Sequence, residues 1–171
     1  QNQSSAASDV YKRQVNVNKI KSYTLVQAQK KLEYYCAYQE RCHKEVIAKL
    51  KTLGMIPSVI DKIISELIKA NYLNETRFTQ SFVRGKFRIK KWGKNRILQE
   101  LKVRDISSFN IKLGMKEISD DNYQKTFYEL FEKRRREVKQ LTKTEQKKKI
   151  FSYMSYRGWE NSKVYEALRD L

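Results

Sequence analysis

The chain matches itself. The segments EVIAKLKTLGM, NRILQELKVRDI and KKIFSYMSYRGW superpose at offsets of 51 and then 53 residues, so Val46, Ile47 and Leu50 fall on Ile97, Leu98 and Leu101, and then on Ile150, Phe151 and Met154. Each trio is an i, i+1, i+4 apolar stripe, the mark of an amphipathic helix. Each stripe runs into a helix stop followed by an apolar residue: Gly54-Met55, Asp105-Ile106 and Gly158-Trp159. The register then holds through Ile60, Ile111 and Val164, through Ile64, Met115 and Leu168, and through Leu67, Ile118 and Leu171. A period near 50 residues describes supersecondary units repeated along one chain, which a single irregular bundle would not produce.

Cap signals divide each unit into three helices. Thr24 with Gln27 forms a capping box, Gly54 stops the second helix, and Pro57 with Ser58 opens the third, which ends near Asn71. Asn74 opens the fourth, Gly93 separates it from the fifth, and Ser107 or Ser108 caps the sixth. Asp120 or Asp121 begins a long seventh helix, Thr142 with Glu145 boxes the eighth, and the ninth follows Gly158. One proline and five glycines in 171 residues leave little turn chemistry for a β-sandwich or barrel. The expectation is an all-α, elongated or curved array of three tandem three-helix repeats, spanning residues 24–73, 74–119 and 120–171. Residues 1–20, polar and without periodic apolar positions, read as a non-native or disordered leader.

Charge narrows the class of partner. Lys and Arg number 37 against 19 Asp and Glu, for a net +18, which favours encounter with polyanions. The excess is concentrated: residues 84–104 carry +8 and residues 133–149 carry +7, and confining like charge in this way costs self-repulsion unless a partner relieves it. Candidate contacts to a partner or nucleic acid are Arg77, Arg84, Lys86, Arg88, Lys90, Lys91, Lys94 and Arg96, and then Lys133, Arg135, Arg136, Lys139, Lys147 and Lys148. On the fourth helix, Phe78, Phe82 and Ile89 share a stripe expected to face the core, while Arg77, Arg84, Arg88 and Lys91 gather on another face. Phe87 lies in the basic face, where packing against a neighbouring repeat outweighs stacking on a base. On the seventh helix Phe127, Leu130, Phe131, Val138 and Leu141 share a face that Arg134 interrupts. Arg134 either snorkels or pairs with a carboxylate of the adjacent repeat, or it marks where the helix meets a partner.

Catalytic patterns are missing from the sequence. His43, Cys42 and Cys36 cluster at one helix junction without metal-site spacing, and a structural role is expected for all three. There is no GxxxxGK[ST] phosphate loop, no dinucleotide-binding glycine pattern and no serine motif beside a base. Asp120 and Asp121 suit a helix start better than a metal, and the basic segments lack the convergent carboxylates of two-metal chemistry. The expectation is a protein that is not an enzyme and takes no cofactor and no metal. No apolar run approaches the roughly 18 residues of a membrane span, and two cysteines fit a reducing compartment, so a cytoplasmic monomer without membrane attachment is expected.

The stretch from Tyr72 to Leu101 resembles the central signature of the RecX family of recombination regulators. The matching positions are Tyr72, Leu73, Asn74, Arg77, Phe78, Phe82, Val83, Arg84, Gly93, Ile97, Glu100 and Leu101. The sequence departs from the family at Trp92-Gly93-Lys94, where a Gly-Pro turn is usual, at Asp105-Ile106 and at Cys42. The resemblance implies a non-enzymatic modulator that binds the RecA–DNA filament and inhibits ATP hydrolysis and strand exchange in DNA repair and the SOS response. It implies as partners RecA and single- or double-stranded DNA, contacted directly or within the filament. A second class stays open: a direct DNA binder in which the third helix of each unit enters a groove, helix-turn-helix fashion. That helix is poor in cations, with Lys62 and Lys69 in the first unit, Lys112 and Lys116 in the second, and Lys163 and Arg169 in the third.

Overall fold

The structure, a computed structural model, describes residues 23–171, and the leader expected over residues 1–20 lies outside the described residues. All regular structure among the described residues is helical: α1 (Leu25–Tyr38), α2 (His43–Thr52), α3 (Pro57–Lys69), α4 (Glu75–Arg88), α5 (Lys94–Val103), α6 (Ser108–Met115), α7 (Asp120–Glu137), α8 (Lys143–Tyr156) and α9 (Asn161–Arg169). Helices pack extensively on one another within the triplets α1–α3, α4–α6 and α7–α9.

Local chemistry sets the ends. Thr24 with Gln27 and Thr142 with Glu145 form reciprocal capping boxes, and Asn74 and Ser107 accept from backbone N–H groups three residues on. The cap of α7 is Ser119, while Asp120 and Asp121 occupy its first turn, where they complement the helix dipole. In α3 the cap position falls on Ile56, with Pro57 as the first helical residue.

The three stops share one geometry. Gly54, Asp105 and Gly158 all take the left-handed conformation, with φ of 76°, 57° and 82°. Each turns the chain so that the next N–H reaches back to the helix: Met55 N to Leu50 O, Ile106 N to Leu101 O and Trp159 N to Met154 O, all 3.2 Å. Apolar register survives as burial. Val46, Ile97 and Ile150 are fully buried, as are Leu50, Leu101 and Met154, each removal from water contributing roughly 1.5–3 kcal/mol.

The units are not joined equally. One buried cluster runs through units two and three, from Phe78 and Val83 to Trp159 and Leu168, and takes Cys42 from unit one. A second, built on Leu32, Val46, Leu50, Ile63 and Leu67, belongs to unit one with Leu73. Within unit two α4 and α6 approach closely because Gly114 has no side chain, and a Cβ there would sit 2.6 Å from Thr79 Cγ2.

Ile89 corrects the expected α4 stripe. It follows the last helical residue and stands 77% exposed, and the buried side chains of α4 are Phe78, Thr79, Val83 and Phe87. Phe87 therefore faces the core, with its ring 6.0 Å from that of Tyr123. Gly85 has nothing within 4 Å of an added Cβ. Gly85→Ala should raise stability by about 0.5–1 kcal/mol through helix propensity, read as an upward shift in the urea midpoint.

Candidate partner and nucleic-acid interface

The basic side chains divide into those bonded within the protein and those left to solvent. Arg77 is committed internally: its Nε donates to Glu40 at 2.6 Å, and its terminal nitrogens reach Asn71 Oδ1, Asn71 O and Tyr72 O. That set fastens the first turn of α4 to unit one. Arg84 pairs with Glu117 at 3.0 Å and Lys94 with Asp120 at 3.1 Å. Lys86 lies over the rings of Phe82 and Trp92, while Arg96 stacks 4.1 Å from Trp92 and donates to Tyr156 O. Lys91 is half-buried in the left-handed turn after α4, with φ of 54°.

Arg88, Lys90, Lys133, Lys139 and Lys148 are exposed, and none of them takes part in an ion pair among the described residues. Arg135 and Arg136 are exposed but held by Glu132, through its carboxylate at 3.2 Å and its carbonyl at 3.3 Å. Lys147 is half-buried beside Lys148 on α8. The two basic stretches line different concavities: Lys86 and Lys90 border one of about 360 Å³ between units one and two, and Lys147 and Lys148 border another of about 400 Å³ on unit three. Arg134 pairs with Glu137 of its own helix at 2.8 Å and lies over Tyr153, so its partner is neither the adjacent repeat nor bulk solvent. The Arg134 guanidinium, hydrogen-bonded to Glu137, holds that carboxyl below the usual carboxylate range.

Both junctions follow one plan that the offsets encode. Cys42 and Gly93, 51 residues apart, cap α2 and α5, and the helix each begins docks on the end of the next unit's middle helix. At the first junction Lys44 Nζ donates to Val103 O at 2.7 Å and pairs with Asp105 at 2.8 Å, with Glu45 facing Arg104 at 3.7 Å. At the second, Arg96 donates to Tyr156 O at 2.9 Å, and main chain meets main chain: Gly93 N donates to Arg157 O at 2.8 Å and Asn95 N to Gly158 O at 3.1 Å. Val103 and Tyr156 are themselves 53 residues apart.

Tyr123 locks the second junction. Its hydroxyl accepts from Lys94 N at 3.0 Å and donates to Glu160 at 2.7 Å, and its ring stands 4.5 Å from Trp159. Burial, the main cause, pushes its phenol far above the ordinary value, so it stays protonated and keeps donating. Lys44, Glu45 and Gly158 do not stand out by charge because their role is docking, and the repeat offsets are the sequence signal that points to them.

Cys36 and Cys42 are buried free thiols, and burial raises Cys36 to about 11. Among the described residues no group of three His, Cys, Asp or Glu side chains is placed to hold a metal ion, and no helix is long and apolar enough to cross a membrane.

Comparison with known proteins takes the middle unit as its anchor. Residues 74–121, which run from the cap of α4 to the first turn of α7, match the family described as RecX, second three-helix domain. The middle unit is thus a RecX-type three-helix domain. The regulatory protein RecX of Lactobacillus johnsonii is 26% identical over 136 residues, covering 80% of this chain and 50% of its own length. That of Streptococcus uberis is 33% identical over 100 residues, covering 58% of this chain and 36% of its own. The chain thus spans half or less of these RecX relatives, which are named as regulatory proteins rather than enzymes. In fold it matches the crystal structure of RecX from Lactobacillus salivarius with a TM-score of 0.71 at 21% identity, over 86% of this chain and 97% of that one.

Proposed function

We propose that the protein binds the RecA–DNA filament and modulates recombinase ATP hydrolysis and strand exchange, mainly by inhibition, in the cytoplasm where that filament forms. The observation that carries this reading is a set of exposed cations, Arg88, Lys90, Lys133, Lys139 and Lys148, unpaired among the described residues, on units two and three of a docked helical array. The RecX domain of the middle unit and the likeness to proteins named as regulators point the same way. Units joined end to end suit an extended lattice, where cations add a salt-sensitive attraction to shape-specific contacts. Inhibition then needs no bond chemistry, because bridging neighbouring protomers is enough to hold them in an arrangement unfit for hydrolysis.

The test is RecA ATPase activity on single-stranded DNA with this protein titrated in. Inhibition well below one copy per RecA protomer is expected for blocked extension, and inhibition only near equal numbers for coating. Unchanged ATPase at saturation, together with sequence-preferring binding to bare duplex, would instead favour the helix-turn-helix reading. Replacing Arg88, Lys90, Lys133 and Lys139 together with Ala should leave helicity intact, since exposed substitutions usually stay within about 0.5 kcal/mol. The variant should bind the filament at least about tenfold more weakly at low salt, and the salt slope should fall by about 1 for each phosphate no longer neutralised. Equal inhibition by variant and parent across a salt series would remove these cations from the mechanism.

A further inference from the structure

Unit three carries a surface that its two siblings lack. Phe151 of α8 and Tyr165 of α9 stack with ring centroids 4.6 Å apart and planes 29° from parallel, and Tyr165 is 58% exposed. They line the concavity of about 400 Å³ together with Leu168 and three cations, Lys147, Lys148 and Arg169, and among the described residues no carboxylate borders it. At the matching register unit two has Leu98 and Lys112, and unit one has Ile47 and Asp61. The aromatic pair is therefore not demanded by the three-helix fold.

The cations around it are unused. Tyr35, Trp92 and Tyr153 are each covered by an arginine of the protein itself, 4.0, 4.1 and 4.1 Å from the ring centre. Among the described residues no such contact falls on Phe151 or Tyr165, and Lys147, Lys148 and Arg169 take part in no ion pair. An exposed flat ring, rimmed by positive charge that neither covers it nor is neutralised, fits a ligand that is itself planar and anionic.

We propose that this surface binds single-stranded nucleic acid. An unpaired base stacks on the Tyr165–Phe151 pair, and the flanking phosphates lie against Lys147, Lys148 and Arg169. Every base has a π-face, so the site is tolerant of sequence. It discriminates by strandedness, because bases inside a duplex are stacked on their neighbours and cannot reach a protein ring. An acidic peptide would satisfy the cations but leave the ring without a planar partner. The inference deepens the filament reading by naming the form of nucleic acid engaged, and its test contains no recombinase, so it can fail while modulation of ATP hydrolysis stands.

The experiment measures fluorescence anisotropy of a labelled 20-nucleotide oligo(dT) and of a duplex of equal length, using the full chain. Tyr165→Ala should weaken oligo(dT) binding roughly 5- to 100-fold, the range of one base stack removed, and leave duplex binding within about twofold. Tyr165→Phe should restore it, which a purely structural role for the hydroxyl would not. Phe151→Leu, the residue unit two uses, should keep the fold by circular dichroism yet weaken oligo(dT) binding. Undiminished oligo(dT) binding by Tyr165→Ala would overturn the proposal, as would equal losses on duplex and single strand. Competition by poly-glutamate as effective as that by oligo(dT) and indifferent to Tyr165→Ala would identify a protein-binding surface instead.

Discussion

Alanine at position 93 should loosen the joint between the second and third units and cost about 3 kcal/mol, although it adds one methyl group at an ordinary φ of −74°. The reason is distance. A Cβ there would stand 2.3 Å from Gly158 O and 2.5 Å from both Gly158 C and Trp159 N, all of them main-chain atoms that no rotamer change can move aside. Relief requires the two backbone segments to part, which sacrifices the Gly93–Arg157 and Asn95–Gly158 hydrogen bonds, each worth about 1 kcal/mol net, and disturbs the packing beneath them. Gly158→Ala should cost more, because its Cβ meets Arg96 Cβ at 2.3 Å and its φ of 82° adds about 1–2 kcal/mol of strain. Gly54→Ala is the control: the turn is the same but nothing lies within 4 Å, so only the strain should be felt. Urea midpoints measure all three, and a Gly93→Ala protein within about 0.5 kcal/mol of the parent would contradict the close approach.

Trp159→Ala should destabilise by about 3–5 kcal/mol, the range for deleting a large buried aromatic. Trp159 is 1% exposed and meets Tyr123 at 4.5 Å and Phe127 at 5.4 Å, so its removal opens a void where α7 packs against the turn after α8. Its indole N–H has no hydrogen-bond partner among the described residues, so volume rather than polarity explains its presence. Trp159→Phe should therefore recover most of the stability. Calorimetry of the three proteins checks this, and a small effect of the alanine variant would mean that the second junction does not depend on the aromatic cluster.

The repeat made the fold legible. Val46, Ile97 and Ile150 read as one position in three copies and are equally buried, and the stops at Gly54, Asp105 and Gly158 share one backbone geometry. The candidate site was only partly visible, because charge counts do not reveal what a cation touches. By periodicity Arg77 shares the basic face of α4 with Arg88, yet one is consumed by Glu40 and the carbonyls beside it while the other stands in solvent, a distinction made by residues up to 37 positions away. Phe87 packs against Tyr123 of the neighbouring unit as expected, but Ile89 leaves its expected setting because α4 ends at Arg88, and periodicity loses its meaning one residue past a helix end. The plan of the junctions was present in the offsets, but it becomes readable only when the middle helices are seen to dock end on end.

The two junctions differ in mechanical compliance. Where Gly93 abuts Gly158 the joint is peptide against peptide over a continuous core, with almost no rotamer freedom to absorb bending. Where Cys42 stands in place of that glycine, the joint is held by side chains, Arg77 on Glu40 and the carbonyls beside it and Lys44 on Val103 O and Asp105, beside the concavity that Lys86 and Lys90 border. Long flexible side chains can lengthen or reorient at little energetic expense, so thermal swinging should concentrate at the first joint while units two and three travel as one stiff body. On the filament proposed as its partner, the stiff pair would hold the grip while the first unit finds its footing.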